Sequence, residues 1–302
     1  MPHQPRVPTR TSGRSYPLWL LYALACGGKS TDSGNDELIS TATATEPTDP
    51  SAPTGGGIEE GLTVEQVFGV PERAWDLGLS PSGLVYCTAQ GGGKIYTWDP
   101  VAQDRDELTD DVGGVRAIAF EGDQPWVTTT AEGVTGTLGP LEGRETTPIY
   151  TQADDGTLFR DPVDLIATSD GGWLIADDDA PAIFHVAANQ SVTAHEAGST
   201  SPQALALHDD RLYVGGDDGI WAMDWPSGAP EQIDERSTYG LLMVNGKLWA
   251  SNASEGLFIV GGDSLGVTDL ARAGSMVLDS TSEVVYVADR VGEYVWSVST
   301  TP

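Results

Sequence analysis

The chain has almost no cysteine. Its 302 residues include two, Cys26 and Cys87, so a disulfide framework holding a small loop-rich fold is excluded, and size or a large core must supply the stability instead. Basic residues are nearly as scarce. Fifteen Lys and Arg stand against 45 Asp and Glu, a formal net charge of −30, and a nucleic-acid partner is excluded because it requires clustered cations to neutralise phosphates. Long apolar runs are missing too. The longest, Tyr16 to Ala25 (YPLWLLYALA), is too short to span a bilayer as a mature helix. Nor is there an H-E-x-x-H zinc motif, a P-loop or a dinucleotide fingerprint. The four histidines, His3, His185, His195 and His208, are scattered, and none has an acid and a nucleophile at readable spacing.

What is present is a repeat, most legible in Glu283 to Val298, EVVYVADRVGEYVWSV. Val285 to Val287 begin one β-rich run, Asp289 to Glu293 carry turn chemistry, and Val295 and Trp296 open a second run. The unit recurs five times upstream. Tyr86, Trp126, Leu174, Tyr213, Trp249 and Tyr286 form one column, and Ile95, Val134, Ile183, Ile220, Leu257 and Val295 form another seven to nine residues later. A third column closes the preceding runs at Leu79, Phe120, Ala167, Leu207, Val244 and Leu278, separated from the first by turns such as Ser80-Pro81-Ser82-Gly83 and Asn245-Gly246.

Six copies of three strands plus a less regular fourth, at a mean spacing of about 40 residues, predict an all-β fold, a six-bladed β-propeller. Thr63 to Phe68 (TVEQVF) belongs to no copy. An N-terminal outer strand over about residues 62–68 is therefore expected to complete the last blade and close the ring.

Three regions follow. Residues 1–25 hold Arg6, Arg10 and Arg14 with no acidic residue and read as an export signal. Ala23-Leu24-Ala25-Cys26 followed by Gly27-Gly28 resembles the lipobox of bacterial lipoproteins, which implies cleavage before Cys26 and lipidation of its thiol. An ordinary signal peptide cleaved near Ala25 is the plainer alternative. Without the three leader arginines, 12 basic residues face 45 acidic ones, a formal −33. Residues 26–57, rich in Ser, Thr, Pro, Gly and acids, cannot bury enough apolar surface to offset the entropy of ordering and read as a tether. Residues 58–302 are the propeller. The expected location is exported and membrane-anchored by lipid alone, at the outer membrane or cell surface, as a monomer.

The acidic surface reads first as a solvated face that keeps an exported protein soluble. Asp177-Asp178-Asp179, Asp217-Asp218, Asn252 and Asp289 recur in equivalent turns, where carboxylates serve as turn formers; Ca²⁺, the only cofactor the sequence suggests, is the sharper reading. Cys87 shares a column with Val127, Ile175, Val214, Ala250 and Val287 and reads as a small buried hydrophobe.

The repeat, with endings such as Val285-Tyr286-Val287-Ala288-Asp289, resembles the six-bladed propellers of the NHL-repeat and senescence-marker-protein/gluconolactonase-like group over the whole globular part. That resemblance implies an architecture more firmly than an activity. In the gluconolactonase-like branch an E-G-P-x-W motif supplies a metal-binding Glu. The corresponding segment is Pro71-Glu72-Arg73-Ala74-Trp75, one residue short, and Pro162-Val163-Asp164 stands nearest the family's aspartate ligand. The resemblance thus implies Glu72 and Asp164 as metal candidates. By position, the axial end where innermost strands begin gathers Glu72, Trp75, Arg116, Asp161, Asp164, Gln203, Tyr239 and Ser275, either as a small-ligand pocket or as a water-filled channel mouth. The expectation is a non-catalytic surface module presenting rigid loops to a protein or glycan partner. The alternative is a calcium-dependent hydrolase of the lactonase or esterase type acting on a small metabolite at the axial mouth.

Overall fold

The structure, a computed structural model, describes residues 62–299 apart from 91, 110–111, 131–134 and 268. The export signal, Cys26, the tether and Val134 lie outside the described residues.

Every regular element described is a strand, and the strands form six antiparallel sheets. Blade one runs Arg73–Leu79, Val85–Gln90, Lys94–Asp99 and Asp104–Thr109 from axis to rim. Blade two is Val115–Glu121, Gln124–Thr129, Thr137–Glu142 and the two-residue Glu145–Thr146; blade three is Pro162–Ala167, Trp173–Asp177, Ala182–Val186 and Val192–Glu196. Blade four comprises Pro202–His208, Arg211–Gly216, Gly219–Asp224 and Glu231–Asp234, and blade five the three strands Gly240–Val244, Lys247–Asn252 and Gly256–Ile259. Blade six takes Ala273–Asp279, Val284–Asp289 and Tyr294–Ser299 from one end of the domain and Thr63–Gly69 from the other. Val64 pairs with Val298 and Gln66 with Trp296. This is the closure expected from the unassigned N-terminal run.

The residues that face the axis are set by one recurrent irregularity. In blades one, two, three, four and six, the pairing between the first and second strands slips near the start of the first, between Ala74 and Asp76, Val115 and Ile118, Pro162 and Asp164, Pro202 and Ala204, and Ala273 and Met276. Such a bulge bends the strand and re-aims its side chains. Asp76 and Asp164 thereby fall at one repeat position, opposite Thr88 and Ala176.

The core is divided among the blade interfaces. Each hydrophobic cluster is built from two neighbouring blades: Leu77, Cys87 and Tyr96 pack with Tyr286 and Val295, and Ala117, Leu138 and Phe159 pack with Leu165, Ile175 and Phe184. Cys87 is fully buried there, and burial pushes its thiol up, away from the reactive thiolate. The register corrects one column. Ile95, Ile183, Ile220, Leu257 and Val295 oppose Thr88, Ala176, Gly215, Ser251 and Ala288, and the residue so placed in blade two is Leu138, opposite Thr128, rather than Val134. Leu138 is fully buried like its counterparts. The third strand of that blade starts only at Thr137, so the column position falls downstream of Val134.

Acidic turn residues prove to be backbone anchors. Asp289 accepts hydrogen bonds from the N–H groups of Ala271, Arg272, Val291 and Gly292, at 2.9 to 3.1 Å. Asp177 accepts from Arg160, Asp161 and Asp179, and Asn252 from Ser254 and Glu255. In blades three, five and six this end-of-strand side chain ties down a turn, and for Asp289 and Asp177 also the segment entering the first strand. Their oxygens are spent on amides, and no group of three or more His, Cys, Asp or Glu residues able to hold a metal occurs among the described residues.

Candidate axial site

The six first strands enclose a cavity of about 540 Å³. Its two ends differ in chemistry. Where the strands finish, Leu79, Phe120, Ala167, Leu207, Met243 and Leu278 line it; where they start, Asp76, Asp164, Gln203, Tyr239, Ser275 and Arg290 do. The bulges produce this polar end, by turning a first-strand side chain inward at the position where an even alternation would have turned it away.

Asp76 and Asp164 are its centre. Asp76 is 4% exposed; its Oδ2 accepts the Ile118 amide at 2.8 Å, and Ser275 also hydrogen-bonds to it. Asp164 accepts the Leu205 amide at 2.6 Å and the Leu165 amide at 2.8 Å. Burial, reinforced by the neighbouring Asp164 charge, pushes the Asp76 carboxyl up to about 8. Burial also raises Asp164, to about 6, while the Leu205 and Leu165 amides and the Arg290 charge hold it lower than Asp76. The pair therefore gives up its two protons in separate steps, and Asp76, under the stronger push of burial and the Asp164 charge, is the one that holds its proton more firmly.

Arg290 completes the group. It is 5% exposed, and its guanidinium lies 4.1 Å from the Trp75 ring and 5.0 Å from that of Tyr239. Burial and the adjacent Arg272 charge bring it down to about 10, opposed by Asp76, Tyr239 and Asp164, so it stays charged at pH 7. Gly274 makes room for it: a Cβ there would lie 2.9 Å from the Cγ and Nε of Arg290.

The residues expected at the axis separate into three groups. Asp164, Gln203, Tyr239 and Ser275 line the cavity. Trp75, Arg116 and Asp161 stand behind it: Arg116 pairs with Asp161 at 3.0 Å and lies 5.1 Å from the Trp75 ring, which supports Arg290 in turn. Glu72 is elsewhere. Its carboxylate receives the Tyr96 hydroxyl at 2.6 Å and the Lys94 ammonium at 3.2 Å, on the third strand of blade one. Burial raises that carboxyl, yet the bonds from Tyr96 and Lys94 outweigh it and hold it below the usual range.

Glu72 and Asp164 are thus not brought together, and the metal reading of the pair is corrected on that ground. The remaining oxygens do not fit a divalent ion either. Ca²⁺ asks for six to eight oxygen ligands, whereas the cavity offers two carboxylates already accepting amide hydrogens, with a guanidinium beside them. Sequence reasoning missed Asp76 and Arg290. Asp76 could have been found, since it shares its repeat position with Asp164; Arg290 follows the anchoring Asp289 and carried no signal of its own.

No family model and no curated protein matches the chain. Solved structures do match its fold. A structural-genomics target named as a candidate gluconolactonase aligns at 16% identity with a TM-score of 0.66, covering 80% of this chain and 93% of that one. A gluconolactonase from Xanthomonas campestris aligns at 14% with a TM-score of 0.62, covering 78% and 89%. A luciferin-regenerating enzyme aligns at 13% with a TM-score of 0.61, covering 79% and 95%. These neighbours bear the names of enzymes, and they overturn the expectation of a non-catalytic scaffold for a protein or glycan partner. At these identities the shared property is the fold, a six-bladed β-propeller of the gluconolactonase-like kind.

Proposed function

We propose that this protein is a hydrolase of small lactones or esters, with its reaction centre at the polar end of the axial cavity. The observation that carries the reading is the pair Asp76 and Asp164, a buried and a half-buried carboxylate lining one cavity, in environments that raise both and raise Asp76 the more. Environments that push two titratable groups apart are how a site assigns an acid and a base. The hydrolase names of the structural neighbours support the same class.

The chemistry needs no group beyond the chain and water. Ionised Asp164 takes a proton from a water molecule whose oxygen bonds to the carbonyl carbon, and the carbonyl π pair moves onto oxygen. On collapse that pair re-forms the C=O bond and the C–O bond to the alkoxide breaks. Asp76 delivers its proton to the departing oxygen. One proton passed from Asp164 to Asp76 then restores the starting state. Arg290 offsets the negative charge of the pair throughout.

The test is kcat/KM on a panel of five- and six-membered lactones and short esters, for the native chain, Asp164→Asn and Asp76→Asn. Each substitution is expected to cost about 10²–10⁴-fold. Native activity should be bell-shaped, rising as Asp164 ionises near pH 6 and falling as Asp76 ionises near pH 8. Hydrolysis that survives in Asp164→Asn would remove the reading.

A further inference from the structure

In a chain this acidic, cations at the axis stand out. Arg272 and Arg290 are adjacent in space although 18 residues apart: the Arg290 amide donates to the Arg272 carbonyl at 2.9 Å, and both guanidiniums lie against Tyr239, at 4.4 and 5.0 Å from its ring centre. Asp289 fixes this arrangement by holding the Arg272 amide at 3.0 Å.

Neither guanidinium has a carboxylate within ion-pair distance among the described residues, in contrast to Arg116 and Arg236. The Nε groups of Arg272 and Arg290 are buried without a hydrogen-bond partner. The one hydrogen bond from the Arg290 guanidinium is a long one, 3.5 Å from Nη2 to the Tyr239 carbonyl. A buried cation with unused donors next to a second cation is costly unless an anion arrives. Arg290 lines the cavity, so an anion bound within it can reach that side chain.

We infer that Arg272 and Arg290 form a receptor for a carboxylate carried by the substrate itself, so that the preferred substrate class is a lactone or ester bearing a free carboxylate. The Arg290 guanidinium, which lines the cavity, supplies the parallel N–H donors that a planar carboxylate accepts, and Arg272 adds a second positive charge beside it against the same Tyr239 ring. Charge favours a monoanion, because Asp76 and Asp164 line the same cavity and would repel a phosphate dianion more strongly than a single carboxylate. The inference rests on the hydrolase reading for the reaction, and on the arginines alone for the binding.

The experiment uses the full chain, a γ-lactone bearing a carboxylate, and its uncharged primary amide. Native protein is expected to hydrolyse the carboxylate at least tenfold better in kcat/KM, and Arg272→Gln to lower the carboxylate-to-amide ratio about tenfold, since a charge-assisted interaction of about 1.4 kcal/mol is worth a factor of ten. Equal rates for the two lactones, or an equal loss on both in Arg272→Gln, would overturn the inference and leave the hydrolase standing. Calorimetric titration with butyrate, butyramide and inorganic phosphate separates the opposite case. Butyrate binding that is lost in Arg272→Gln and in Gly274→Val, which crowds Arg290 without removing its charge, would uphold the receptor even with no lactone turned over. Phosphate or butyramide binding as tightly as butyrate would sink it.

Discussion

Asp289 and Asp76 are the same residue type, equally hidden from water at 1% and 4% exposure, and in the same protein they do opposite things. Asp289 receives four backbone amides. Asp76 receives the Ile118 and Leu77 amides and a serine, beside a second carboxylate. The amides around the first take up its oxygens and make it a fastener of the chain; the second, pushed up by burial and by the charge of Asp164 beside it, keeps a proton that it can give away. Burial alone does not tell a reagent from a rivet. The neighbours of the carboxylate do.

The comparison breaks most sharply at the fastener. Asp289→Ala leaves four part-buried amides without their acceptor and is expected to cost about 3 kcal/mol in urea unfolding, whereas Asp76→Asn at pH 8 should be neutral or stabilising. If the two substitutions cost the same, the distinction fails.

A smaller effect sharpens the axial side. Asp76 and Asp164 hold their protons to higher pH when folded than the ordinary 3.8, up to about 8 and about 6. The folded chain then binds more protons than the unfolded one across that window, and stability falls as pH rises through it. The contribution of Asp234, held down to about 2 by Arg236, runs the other way and is lost only in stronger acid. The urea midpoint should therefore decline between about pH 5 and 8 in the native chain, with the decline reduced in Asp76→Asn. An unchanged slope would show that Asp76 is ionised throughout.

Least of all is expected from Glu72→Gln. Its ion pair with Lys94 is partly exposed, 27% on each side, and pairs of that kind contribute under about 1 kcal/mol. Lactone hydrolysis should not change, and a loss comparable to that of Asp164→Asn would return Glu72 to the site.

Much of the architecture was legible because it repeats. Blade number, the closing strand and the buried columns follow from aromatic and β-branched residues recurring at one spacing, with Leu138 the place where a late strand start hid the register. The site was half legible. Asp164, Gln203, Tyr239 and Ser275 could be placed by counting to the start of each first strand, but a bulge shifts inward and outward by one residue, and no propensity in Ala74-Trp75-Asp76 announces which of the last two will face the axis. Arg290 lies outside the strands, brought in by a turn and admitted by the missing side chain of Gly274. Such a contact between distant segments leaves no local pattern.

The shared last blade also sets an order of events. Thr63–Gly69 can pair only once Tyr294–Ser299 exists, and Ser275 and Arg290 reach the axis in the same final stretch. The members of the site that come last in the chain thus arrive with the strands that shut the ring, and a chain ended short of them would carry Asp76 and Asp164 without Ser275 and Arg290.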